Sequence, residues 1–191
     1  MKKLILKTAL ITISAVVIAC LTVFSLWLVG SPQTMATSCE KTGNYSFAVT
    51  CAGLRYKYTK DVYDLARCVD NAILSGKDNL ICEHGEKLLN DEKLDDVCKT
   101  KDGAIPENTA GVPFGYKAYI CGHIAVAEYR LGDIEKAVKT ALTGGENSFP
   151  KLVIEVTSKG DKTSANAVLS ALDTLEQTEE TKALSQILKN I

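Results

Sequence analysis

Two short patterns in this chain have the residue types to hold a metal ion. They are Cys82-Glu83-His84 and Cys121-Gly122-His123, and they contain both of its histidines. Two thiolates and two imidazoles would make a tetrahedral zinc set. The spacing opposes it, because residues i and i+2 of a helix lie about 200° apart around the axis and cannot reach one ion together. Carboxylates gather at Glu86 and from Asp91-Glu92 to Asp95-Asp96. They suit either a calcium or acid–base site or a solvated helix start favoured by the helix dipole, and the second is preferred. There is no Cys-x-x-Cys pair, glycine-rich phosphate loop, dinucleotide fingerprint or hydrolase elbow. A Cys–His nucleophilic site with members distant in sequence stays open. The expectation is a protein that is not an enzyme and takes no cofactor or metal.

The remaining chemistry lies in the cysteines, and their meaning depends on compartment. Lys2, Lys3 and Lys7 precede a stretch with no charged residue from Thr8 to Cys39. Within it, Thr8 to Gly30 is a run of about 23 mostly apolar residues, about 34 Å long as a helix and enough to cross a bilayer. The lysine bias places residues 1–7 in the cytoplasm and residues 31–191 outside, in a single-pass cell-membrane protein with an extracytoplasmic C-terminal domain. The favoured reading is a retained signal anchor, with Trp27 near the outer interface and Pro32 ending the helix. Two others stay open: cleavage after Ala36, in Thr34-Met35-Ala36, and lipidation of Cys20 in Val17-Ile18-Ala19-Cys20, which resembles a lipobox.

Six of the seven cysteines lie beyond the span: Cys39, Cys51, Cys68, Cys82, Cys98 and Cys121. An even set in an oxidising compartment reads as three disulfides. All 23 acidic residues also lie beyond the span, against 19 of the 22 basic ones, so the outer part is acidic and shows no footprint for nucleic acid.

Periodicity is helical almost throughout. Val62, Leu65, Ala66, Val69 and Ile73 follow one helical face, as do Ala183, Leu184, Ile187, Leu188 and Ile191. Gly43-Asn44, Gly76-Lys77-Asp78, Gly132-Asp133 and Gly160-Asp161 supply helix stops followed by N-caps. Helices are predicted near 33–42, 44–58, 60–75, 78–90, 92–100, 114–131, 133–143, 147–159, 162–175 and 179–190. The β-branched Leu152–Val156 stretch also suits a strand, but a lone strand would lack a partner. Asn44-Tyr45-Ser46 fits a glycosylation sequon as well as an N-cap, and the cap is preferred. Lys101 to Pro113, with two prolines and two glycines, breaks the pattern and divides the helices into two sub-bundles. The fold class is all-α: a transmembrane helix followed by antiparallel hairpins.

Hairpin order ranks the disulfides as sequential pairs. Cys68 and Cys82 flank the Gly76 turn, Cys98 and Cys121 the long loop, and Cys39 and Cys51 the Gly43 turn.

The segment Cys121 to Leu142 resembles a tetratricopeptide hairpin. Ile124 and Ala125 stand at the leucine and small-residue positions, Tyr129 at the late aromatic, then the Gly132-Asp133 turn and Ala137 at the tight contact. Gly43-Asn44-Tyr45-Ser46-Phe47-Ala48-Val49 resembles the same turn and second helix, and Gly43 to Gly76 spans about one such period. Cys121 and Gly144 depart from the family pattern. The resemblance implies a groove presenting Tyr119, Val126, Tyr129 and Arg130 to a peptide, although Tyr129 equally suits packing against the next hairpin.

The expected function is a membrane-anchored scaffold, held through residues 8–30, that binds a protein or peptide partner. Alternatives are a structural or assembly subunit of an envelope complex, or an enzyme with an unrecognised thiol or metal site.

Overall fold

The computed structural model describes residues 2–102 and 115–191. Among them are eleven α-helices in chain order and no strand: α1 Lys2–Gly30, α2 Pro32–Lys41, α3 Tyr45–Thr59, α4 Val62–Ser75, α5 Asp78–Leu89, α6 Leu94–Lys101, α7 Tyr116–Arg130, α8 Ile134–Gly144, α9 Phe149–Lys159, α10 Lys162–Leu172 and α11 Glu179–Lys189. Consecutive helices pack as pairs, α3 on α4 and α7 on α8 most extensively. Leu152–Val156 is helical, within α9. The predicted break at Lys101 to Pro113 falls mostly on residues 103–114, outside the described set. Its two ends are held together, because the Asp102 carboxylate accepts the Tyr116 backbone N–H at 2.7 Å and so caps α7 from α6.

Asparagine, aspartate and threonine start the helices as their chemistry dictates. Asn44, Asp61, Asp133, Asp161 and Thr178 each accept a backbone N–H from the first turn that follows. Gly76 and Gly160 close α4 and α9 in the left-handed region. Lys60 adopts the same conformation, at φ 55°, to end α3.

Two buried clusters hold the helices together, and α7 belongs to both. Ile120, Ile124 and Ala127 join Val49, Leu65, Val69, Ile81, Leu88 and Val97 from α3 to α6. Ala125 and Tyr129 join Ala137, Phe149, Val153, Val168, Leu172 and Leu184 from α8 to α11. Close approach to α7 needs missing side chains. A Cβ on Gly85 would lie 2.4 Å from the end of Ile124, and one on Gly144 would lie 2.5 Å from Cys121 Cβ.

The apolar helix is fastened to this body. Within Lys7–Gly30 an 18-residue stretch has a mean hydropathy of 2.5 and contains no buried residue, so α1 is a candidate membrane span by length and composition. Thr12 and Thr22 donate their hydroxyls to carbonyls one turn back, which satisfies them within the helix. After Ser31, α2 turns back so that Leu28 packs against a third buried cluster of Met35, Ala36 and Cys51. Arg67 of α4 then pins α2 through a two-pronged ion pair to Glu40, 2.7 Å for each contact, and Asn71 donates to the same carboxylate. The guanidinium holds the Glu40 carboxyl below its usual range.

Candidate functional site

A groove of about 340 Å³ lies where the end of α4 and the start of α5 face α7 and α9. One stripe of α7 forms its floor. Residues 119, 123, 126 and 130 recur at helical spacing, so they share a face, and His123, Val126 and Arg130 line the groove. Ile73 and Ile81 supply one apolar wall, and Ile154 of α9, 66% exposed, projects from the other.

Arg130 spans the floor. Its Nε and Nη2 donate to both oxygens of Glu155 at 2.9 Å each, and its Nη1 lies 3.7 Å from Asp78 Oδ1. One guanidinium therefore ties α5 to α9 across α7. It lowers the Glu155 carboxyl below its ordinary range, with Lys159 adding to the effect. Burial, with the charges of Lys151 and Arg130 behind it, pushes the His123 imidazole down to about 4, so this ring is neutral at neutral pH. Tyr119 stands edge-on to His123, with ring centroids 4.7 Å apart. Lys151 lies exposed at the mouth, with no carboxylate partner among the described residues. The arrangement offers apolar walls, a neutral ring and one uncommitted cation, which is binding chemistry.

Two of the four residues expected at a groove, Val126 and Arg130, line it. Tyr119 lies on the same face one turn away and packs against the first core. Tyr129 points the other way. It is 7% exposed in the second core, where its hydroxyl reaches Asp161 at 3.2 Å and Lys159 sits 4.5 Å from its ring centre. Lys151, Ile154 and Glu155 had no signal in the sequence, because they come from a helix distant in the chain, and Asp78, expected as an N-cap, is instead the first residue of α5, which has no side-chain cap.

A second charged cluster lies behind α7. Glu128 is 2% exposed, and neither of its oxygens has a hydrogen-bond partner. The nearest cation, Lys136 Nζ, is 3.6 Å away and also pairs with Glu86. Burial raises the Glu128 carboxyl above its ordinary range despite that lysine.

All seven cysteines are unbridged. The sequential pairing expected from the hairpins meets this geometry unevenly. Cys39 of α2 packs against the buried cluster that contains Cys51 of α3, so these two cysteines are neighbours. Cys98 and Cys121 lie within electrostatic reach of one another, but Cys121 packs its sulfur toward the end of α8 at Gly144. Cys68 faces α3, with its thiol 3.9 Å from the Val49 carbonyl, whereas Cys82 sits among the charges of Glu128, Glu86, Lys136 and Asp78. His84 lies beside Gly53 and His123 lines the groove, and no group of three or more metal-ligating side chains occurs among the described residues.

Compared with known proteins, the chain matches no family model, no curated protein and no solved structure.

Proposed function

We propose that this protein is a membrane-anchored, extracytoplasmic scaffold that holds an extended segment of a partner protein in the groove on α7. In this reading α1 is a retained signal anchor, the hairpins are degenerate tetratricopeptide-like units, and no bond is made or broken at the site. The observation that carries it is the groove itself: Ile73, Ile81, Val126 and Ile154 offer apolar area, and Lys151 is left uncommitted because Arg130 is consumed by Glu155 and Asp78. Such a surface favours a segment with spaced apolar side chains and an acidic group.

Site-specific photo-crosslinking in cells that make the full chain tests it. A probe at Ile154 is expected to give one discrete adduct that Lys151→Glu abolishes, while a probe at exposed Ile187 of α11 gives none. Equal labelling from both positions, or an adduct indifferent to Lys151→Glu, counts against the reading.

A second reading, an assembly subunit whose span makes the contacts, is favoured by the way Leu28 and Phe24 are built into the body. Replacing residues 8–23 by unrelated apolar sequence, with Phe24 and Leu28 kept, separates the two, since only the second predicts loss of function.

A further inference from the structure

Asn44-Tyr45-Ser46 is the only Asn-x-Ser/Thr sequence in the chain. The structure separates the two uses that the Asn44 side chain could serve. Its Oδ1 accepts the Phe47 backbone N–H at 3.4 Å and so starts α3. Its Nδ2, the atom that would carry a sugar, has no hydrogen-bond partner among the described residues. Capping therefore leaves the acceptor nitrogen free, and a glycosylated asparagine keeps the oxygen that the cap needs.

Other asparagines are committed where this one is not. Asn71 is buried and gives its Nδ2 to Glu40 and to the Arg67 carbonyl, and Asn90 gives its Nδ2 to the Glu86 carbonyl. Neither amide could be derivatised without breaking these bonds. Asn44 instead stands exposed in the turn between α2 and α3. Gly43 beside it is in the left-handed region at φ 74°, and a Cβ placed there would meet nothing within 4 Å, so the turn has open space around it. Lys41 and Thr42 are exposed as well, and the Thr42 hydroxyl is turned back onto the Ser38 and Cys39 carbonyls of α2.

We infer that Asn44 is an attachment site for an N-linked glycan. The inference rests on the reading of residues 31–191 as extracytoplasmic, the side on which such sugars are added. The donor class is an oligosaccharide joined through its first sugar to a lipid diphosphate. A bond forms between Asn44 Nδ2 and the anomeric carbon of that sugar, while the bond from that carbon to the phosphate oxygen breaks. The lipid diphosphate leaves with the electron pair, and the amide proton passes to a base of the transferase. Tyr45 and Ser46 lie in the first turn of α3, so the transfer takes place on the emerging chain, before that turn closes. Folding then leaves the sugar outside, because the nitrogen that bears it belongs to an exposed side chain.

Translation of the full chain with endoplasmic-reticulum microsomes, which supply both donor and transferase, tests this. The natural chain is expected to gain one glycan, read as a single step in gel mobility that peptide N-glycosidase reverses. Asn44→Asp and Ser46→Ala should each lose that step entirely. Aspartate caps a helix as well as asparagine does, so Asn44→Asp should melt at the same temperature as the natural chain made without microsomes, and its lost step is then not a lost fold. A reporter chain carrying Asn44→Asp and Glu176→Asn places a new acceptor before Gln177 and Thr178, in the exposed turn ahead of α11. If the reporter is glycosylated and the natural chain is not, Asn44 is refuted as an acceptor while the outside placement of the body stands. If neither is glycosylated, the body is not outside and both readings fall. A step that survives Asn44→Asp also refutes the site.

Discussion

The guanidinium of Arg130 grips Glu155 with two parallel hydrogen bonds while its third nitrogen leans toward Asp78, so one side chain from α7 braces helices on both sides of the groove. Arg130 is part exposed and Glu155 largely covered, which places this pair between a surface bridge and a buried one.

Arg130→Ala is expected to lower stability by about 1 kcal/mol, or about 2–4 °C in Tm for a chain of this size. Arg130→Lys should recover little, because an ammonium cannot engage both oxygens in a plane. Lys87→Ala, which removes the exposed pair to Glu83 within α5, serves as the control and should be silent. Equal shifts for Arg130→Ala and Lys87→Ala in thermal unfolding would show that the brace does nothing special.

Glu128 makes an opposite prediction. A carboxyl raised above its unfolded value holds its proton more tightly in the folded chain. Its contribution to stability is therefore complete below the unfolded pKa, about 4.3, and is lost as pH rises through the folded one. Glu128→Gln should raise Tm at pH 8 and change it little at pH 4. Melting curves at the two pH values check this, and a variant destabilised at pH 8 but little changed at pH 4 would mean that the ion pair with Lys136 outweighs burial.

The helical signal was readable because glycine, asparagine and aspartate punctuate it: Asn44, Asp133 and Asp161 cap the helices that the sequence predicts after them. The stop predicted at 58 falls at Thr59, where Lys60 takes the left-handed conformation that glycine supplies after α4 and α9. Counting residues back from Gly76 puts Cys68 and Cys82 at similar heights but does not fix which way each points. At about 100° of rotation per residue, small differences in count turn one thiol toward α3 and leave the other among the charges near α7. The groove was legible only on α7, where Val126 and Arg130 share a stripe. Its other walls depend on how distant helices meet.

Oxidation should follow proximity. With oxidised glutathione, thiol–disulfide exchange in the folded protein is expected to join Cys39 to Cys51 first, releasing two equivalents of glutathione and stabilising the fold by about 2–3 kcal/mol. Cys68, whose thiol burial pushes up to about 12, should resist both exchange and alkylation. Peptide mapping after timed quenching reads the order, and early appearance of a Cys68–Cys82 link would contradict it.

Gly144→Ala tests close packing. The added methyl meets Cys121 Cβ at 2.5 Å and Ser148 Cβ at 3.0 Å, and both are held by backbone, so relief requires the end of α8 to move. A loss of about 1–3 kcal/mol is expected from denaturant titration. At Gly85 the obstruction is the flexible tip of Ile124, so Gly85→Ala should cost less.

α7 gives Ile120, Ile124 and Ala127 to one cluster and Ala125 and Tyr129 to the other, so the border between the halves runs down the middle of a single helix. Neither half can be exchanged as a cassette. Any graft has to take this helix along, and taking it strips the remaining half of a wall.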